Sequence, residues 1–225
     1  MKFTDKELIL FDLDGTLIDS APDLSRSVNY MLRTSGRSEF SDDIIHSWVG
    51  NGASTLVKRA LSGSEIIDEN IENSLFEEAL NIFLNYYKQN SCVDTVMYPN
   101  VKETLFSIKE KGYKLAIITN KPYGFIDTIL QTLGIDSYFS LCLGGDSLEQ
   151  RKPHPLPLLH ACKILDVRPE NSLMIGDSKN DILAAQAAKI DTVGVSYGYN
   201  YGEDISLYKP DVIVDNFANI LKTLP

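Results

Sequence analysis

Two carboxylates, Asp12 and Asp14, stand two residues apart in Phe11-Asp12-Leu13-Asp14-Gly15-Thr16-Leu17, directly after the apolar run Leu8-Ile9-Leu10. Alternate residues of an extended chain share a face, so the two acids point the same way. At that spacing they repel unless a cation or a proton lies between them. Taken alone, Asp-x-Asp-Gly also suits a strand end and a solvated turn. An EF-hand loop is excluded, because Leu17 and Asp23 stand where Gly and Glu would be required. Three further polar clusters follow apolar runs. Thr119-Asn120 offers a hydroxyl and an amide. Lys152 lies in the stiff segment Arg151-Lys152-Pro153-His154-Pro155, which aims one ammonium. Gly176-Asp177-Ser178-Lys179-Asn180-Asp181 opens a helix with two acids in its first turn. Singly, each has an ordinary account as a cap, a loop cation or N-terminal helix acids. Together they offer a carboxylate nucleophile, a second acid, hydrogen-bond donors, a cation and metal-binding acids, which is what phosphoryl transfer needs. Carboxylate, carbonyl and water oxygens suit a hard cation, and Mg²⁺ is the expected cofactor.

Leu8-Ile9-Leu10 is an apolar run of the kind buried on both faces of a parallel sheet. Ser20 is a candidate N-cap for a helix whose apolar positions are Leu24, Val28, Met31 and Leu32, ended by Ser35-Gly36. Up to about residue 90 only helical patterns follow, around Ile44–Trp48, Leu56–Leu61 and Ile71–Tyr87. Beyond Tyr98-Pro99, strands and helices alternate. Strands are expected at Lys114–Ile118, Phe139–Leu143, Ser172–Ile175, Thr192–Val195 and Val212–Val214, with a helix closing the chain. Such alternation predicts an α/β fold, a doubly wound, Rossmann-like parallel sheet. Ligands of that architecture bind outside the carboxyl ends of the strands, where all four clusters fall. The organisation expected is a core of residues 1–18 and 92–225 with an inserted helical cap, 19–91.

Bulk properties narrow the partners. The formal net charge of −10, without a dense Lys/Arg cluster, argues against nucleic acid. An acidic protein acting on an anion must concentrate positive charge locally. The three cysteines, Cys92, Cys142 and Cys162, are too scattered for a disulfide framework or zinc site and suggest a reducing compartment. No signal peptide is apparent and no run approaches the ~18 apolar residues of a membrane span, so a cytoplasmic protein with a small phosphorylated partner is expected.

The four clusters resemble the four motifs of the haloacid dehalogenase superfamily. The resemblance covers nearly the whole chain, and the helical insertion is similar to that superfamily's cap. It implies that Asp12 is the nucleophile forming an aspartyl-phosphate, and that Asp14 protonates the leaving oxygen and then activates water. It implies that Thr119 and Asn120 hold phosphoryl oxygens, with Thr16 on the substrate side, and that Lys152 neutralises charge. Mg²⁺ would bind Asp12, the Asp14 backbone carbonyl and Asp177, with Asp181 supporting Asp177 or Lys152 and Ser178 beside it. Dehalogenase members lack the second acid, so Asp14 points to a phosphotransferase. Within the superfamily, bacterial phosphoglycolate phosphatases are most similar, through Asp19–Asp23, Trp48–Ala53, Thr119–Pro122, Lys152–Pro155 and Gly198–Glu203. That implies hydrolysis of 2-phosphoglycolate; another small phosphoester, pyrophosphate, phosphosugar mutation and a non-catalytic binding module are the alternatives. Gly50-Asn51-Gly52 reads as a tight turn between cap helices, whose amides, or Lys58 or Arg59 nearby, are candidate donors to a substrate carboxylate. Two departures stand out: Lys189 occupies a helix C-cap where such phosphatases usually carry Gly, and Thr34–Ser38 replaces their usual Leu-Gly-x-Pro.

Overall fold

A computed structural model describes residues 2–225. Its strands are β1 (Leu8–Phe11), β2 (Ile18–Asp19), β3 (Val96–Met97), β4 (Lys114–Ile118), β5 (Leu141–Leu143), β6 (Ser172–Gly176), β7 (Asp191–Val195) and β8 (Val212–Val214). Six of them form one sheet in the order β5-β4-β1-β6-β7-β8, every pairing parallel. β1 lies between β4 and β6, with Phe11 level with Ile117 and Ile175, so Asp12 emerges from the middle of the sheet.

The period-two alternation of β1 decides what covers each face. Ile9 and Phe11 pack with Ile117, Ile175, Val193 and Phe217 on one side. Leu8 and Leu10 pack with Ile118, Met174, Leu158 and Ala184 on the other. Both faces are therefore dry, and the strands read as nearly continuous apolar runs. The covering helices are taken from a series that begins in the insertion. α1 (Ala21–Thr34), α2 (Asp42–His46), α3 (Ala53–Ser62) and α4 (Asn73–Asn90) form the helical cap between β2 and β3. α5 (Val101–Glu110), α6 (Ile126–Leu133), α7 (Leu156–Ile164) and α8 (Lys179–Ala188) then alternate with the strands. The cap core, including Trp48, Leu56 and Phe83, is continuous with the first of the two sheet faces.

Several local outcomes differ from what the sequence suggests. The closing helix is a 3₁₀ segment, Phe217–Lys222. Lys189 does sit in the left-handed conformation, φ 59°, and α8 still closes normally, with the Ile190 N–H donating to the Ala185 carbonyl at 2.9 Å. A side chain there costs about 1 kcal/mol relative to Gly, which a single helix end tolerates. Thr34–Ser38 closes α1 through Gly36 and ties back to α3, the Arg37 guanidinium donating to the Leu61 carbonyl at 3.0 Å.

The two chain passages into and out of the cap are pinned together. Ile18 pairs with Met97 and Asp19 with Val96 as a two-residue antiparallel ribbon. Beside it Asp23, fully buried, accepts the backbone N–H groups of Val93, Asp94 and Thr95 and the Thr95 hydroxyl, at 2.7 to 3.1 Å. A helix acid in the first turn is usually explained by the helix dipole; here the carboxylate instead gathers the returning strand. Asp23→Ala is expected to cost about 2–4 kcal/mol, because several partly buried donors lose a charged acceptor together. Urea unfolding of the two proteins measures it, and a difference below about 1 kcal/mol would remove Asp23 from this role.

Candidate active site

The site lies beyond the carboxyl ends of β1, β4 and β6. Asp12 follows β1 directly and keeps ladder pairing, its N–H donating to the Ile175 carbonyl at 3.0 Å. Its Oδ1 accepts the Leu13 N–H at 2.7 Å and lies 3.0 Å from the Lys152 Nζ. That ammonium is almost wholly buried, 2.6 Å from the Asp181 Oδ1, and also donates to the Ile118 carbonyl. Asp181 in turn accepts the Ser178 N–H and hydroxyl on Oδ2, at 3.0 and 2.8 Å, which closes a capping box at the start of α8. Lys152 is thus clamped between the β1 and α8 acids, and Asp181 and Ser178 orient it.

Asp177, at the end of β6, accepts the Thr16 hydroxyl at 2.7 Å and the Tyr199 N–H at 2.8 Å. Thr16 is fully buried, and its hydroxyl is directed at Asp177. Carboxylate oxygens of Asp12, Asp177 and Asp181 all lie within 4.8 Å of one another. Among the described residues only the Lys152 ammonium lies in contact with this trio, on Asp12 and Asp181. Burial, and then repulsion from Asp181, push the Asp12 carboxyl from 3.8 to about 7, although Lys152 pulls the other way. Burial raises Asp177 well above the usual carboxylate range, and Asp181 and Asp12 add to it. Crowded, dry, hard oxygen donors short of positive charge fit a divalent cation such as Mg²⁺.

Asp14 faces a different partner. Its two oxygens lie 2.8 and 3.0 Å from the Lys121 Nζ, and Oδ1 also accepts the Ser20 hydroxyl at 2.5 Å. Ser20 does stand at the N-cap position of α1, but its hydroxyl does not cap the helix. The Tyr199 hydroxyl does that work, accepting the Ser20 and Ala21 N–H groups at 2.9 and 3.1 Å and donating to Asp19. Lys121 is buried; burial alone would lower its pKa, but the Asp14 carboxylate more than offsets this and raises it.

Asp12, Asp14, Thr119 and Asn120 line one cavity of about 40 Å³ with Gly50 and Gly52 of the cap. That volume holds only a few waters, so the cap is closed on the core. Gly50 and Gly52 have φ of 121° and 79°, and a Cβ on them would come within 2.5 Å of the Tyr201 hydroxyl and 2.8 Å of the Asn120 carbonyl. The turn is latched to the core: the Asn180 amide donates to the Asn51 side chain at 2.8 Å and, with Asn120, to the Gly50 carbonyl at 3.3 Å. The second Asn120 donation goes to the Lys152 carbonyl at 3.0 Å, which leaves the buried Asn120 Oδ1 without a partner. Neither Lys58 nor Arg59 lines the cavity: Lys58 lies over the Phe76 ring, and the Arg59 guanidinium donates to the Trp48 and Glu65 carbonyls.

Lys121, Ser20, Tyr199 and Asn180 are contributors to which the sequence alone gives no part in the site. Lys121 carried a usable signal, being a lone cation between a strand end and a proline. The Tyr199 and Asn180 contacts span 179 and 129 residues, and no local pattern announces them.

Comparison with known proteins follows the same lines. The family described as haloacid dehalogenase-like hydrolase matches residues 9–195. The phosphoglycolate phosphatase of Colwellia psychrerythraea is 55% identical over 224 residues, spanning 100% of this chain and 99% of that protein. That of Psychrobacter arcticus is 48% identical, spanning 98% and 96%. The crystal structure of a predicted phosphoglycolate phosphatase from Haemophilus somnus superposes with a TM-score of 0.90 at 43% identity, covering 97% of each chain.

Proposed function

We propose a substrate and a mechanism for this chain, which belongs to the haloacid dehalogenase-like hydrolases and is a phosphoric monoester hydrolase. The substrate is 2-phosphoglycolate and the products are glycolate and phosphate. The names of the relatives at 55% and 48% identity support that choice, as does the small volume closed off beneath the cap. The observation that carries the mechanism is that Asp12 and Asp14 share one cavity wall and each contacts a different buried lysine, Asp12 Lys152 and Asp14 Lys121.

In the first step an Asp12 carboxylate oxygen attacks phosphorus. An oxygen–phosphorus bond forms on Asp12 as the ester oxygen–phosphorus bond breaks, and the Asp14 proton passes to the departing oxygen. In the second step Asp14 takes a proton from a water, which attacks the aspartyl-phosphate and frees phosphate and the Asp12 carboxylate. Asp14 is thus acid and then base. Lys152 holds the Asp12 Oδ1, and Thr119 and Asn120 border the phosphoryl group. Thr16, through its hydroxyl, fixes the rotamer of Asp177. Mg²⁺ held by Asp12, Asp177 and the Asp14 backbone carbonyl would offset charge on the phosphoryl oxygens. Phosphate-monoester hydrolysis is among the slowest uncatalysed reactions, so none of these contributions is redundant.

The division into a core of 1–18 and 92–225 and a cap of 19–91 belongs to the same reading, the β2–β3 ribbon and Asp23 marking the hinge. Cap opening admits substrate and closure excludes water. No helix among the described residues is long and apolar enough to cross a membrane.

The test is kcat/KM across a panel of small phosphate esters with Mg²⁺ present. 2-Phosphoglycolate is expected to lead by about tenfold or more. A sugar phosphate or pyrophosphate ahead of it would overturn the substrate and leave the hydrolase chemistry standing.

A further inference from the structure

The cavity beneath the cap has one cationic side chain among its lining residues, and it is not the lysine paired with Asp12 but Lys121. Lys121 Nζ touches both Asp14 oxygens and lies 4.9 Å from the centroid of the Tyr87 ring. Tyr87 comes from the cap helix α4 and lines the same cavity. Its hydroxyl is buried and faces the Lys121 ammonium, and its own O–H finds no acceptor among the described residues. A buried donor left without an acceptor is costly, and in a cavity wall it marks where a ligand atom completes the bonding.

We infer that Lys121 and Tyr87 form a carboxylate subsite across the cap–core seam, specific for the acid group of a short α-phosphoryloxy carboxylate. The inference rests on the substrate reading above and deepens it. Its geometry follows from the chemistry. Asp14 must reach the ester oxygen to protonate it. In 2-phosphoglycolate a single methylene separates that oxygen from the carboxylate carbon, so the carboxylate lies within a few ångströms of Asp14. Once its proton has passed to the ester oxygen, Asp14 and that carboxylate are two anions side by side in a dry pocket, and they need a shared cation. Lys121 Nζ carries three N–H donors, two of them directed at Asp14 and the third turned toward the Tyr87 oxygen, from where it can pass to the substrate. Tyr87 supplies the second donor, and it does so only when the cap is closed. Closure is thereby coupled to recognition of the carboxylate. Among the described residues no other Lys, Arg or His lines the cavity to perform this task in a protein of net charge −10.

The experiment compares 2-phosphoglycolate with 2-hydroxyethyl phosphate, which keeps the skeleton and replaces the carboxylate by a neutral CH₂OH. Both are assayed with wild type, Lys121→Met, Lys121→Arg and Tyr87→Phe, each first checked for cooperative unfolding. Lys121→Met is expected to lower the ratio of kcat/KM for phosphoglycolate over hydroxyethyl phosphate by roughly a hundredfold, the scale for losing one partner of a buried charge pair. Tyr87→Phe is expected to lower it about tenfold, mainly through KM. Lys121→Arg is expected to recover part of the ratio. Equal losses on both esters in Lys121→Met would show that Lys121 only positions Asp14, and the subsite would fall while the substrate stood. A wild type that does not distinguish the two esters would instead remove the substrate reading, and the subsite with it.

Discussion

Asp12→Asn yields a folded protein whose phosphate release falls on the order of 10⁴-fold or more, because the amide keeps the shape and loses the nucleophile. The variant is also the more stable protein when metal is absent. Burial and the neighbouring Asp181 raise the Asp12 carboxyl from 3.8 to about 7. A folded-state value above the unfolded one means that the folded chain holds the proton more tightly. Metal-free wild type therefore loses stability as pH rises from about 4 through about 7. Asn does not titrate, so this loss disappears from the variant. Thermal unfolding in EDTA should show the variant a few degrees above wild type at pH 8, converging toward pH 4. Phosphate release is measured on the same samples with saturating Mg²⁺. A folded Asp12→Asn protein retaining a tenth of wild-type turnover would mean that another group attacks phosphorus.

What is legible in the sequence, and what is not, separates along physical lines. The buried strands β1, β4 and β6 announce themselves because a strand covered on both faces must be apolar throughout. Their polar ends are legible as a set: one carboxylate after such a run suits a solvated turn, but polar clusters after several of them converge on one site. Interactions made by lone side chains over long separations are another matter. Asp23 looks like an ordinary helix acid, and only the fold brings Val93–Thr95 to it. Ser20 looks like an N-cap, but Tyr199 displaces its hydroxyl onto Asp14. The β2–β3 ribbon is two residues wide and leaves no periodicity to detect. Lys58 and Arg59 are the instructive misplacement. Their charge and position on the cap suggest substrate donors, yet on α3 they turn toward Phe76, Trp48 and Glu65. The positive charge on the cavity comes instead from the core, at Lys121.

Asp14→Asn carries the opposite signature to Asp12→Asn, although the two acids are one residue apart from being neighbours. Activity falls by roughly 10²–10⁴, the range for losing a positioned general acid and base. The loss depends on the leaving group. An aryl phosphate departs without much help, so its first step is slowed less than that of an alkyl phosphate, whose leaving oxygen must be protonated as it goes. Equal losses on both esters would take Asp14 out of proton transfer. Stability moves down rather than up. Lys121 is buried and its ion pair with Asp14 spans 2.8 Å, so the substitution leaves an ammonium facing neutral groups alone, the new amide oxygen and Tyr87. Removing one partner of such a pair costs about 3 kcal/mol when no replacement acceptor exists, and about 1–2 kcal/mol is expected here because Asn still offers one. Urea unfolding at pH 8 should therefore place Asp14→Asn below wild type and Asp12→Asn above it. The two signs follow from charge balance alone: around Asp12 there are more carboxylates than cations, and Asp14 has a lysine of its own.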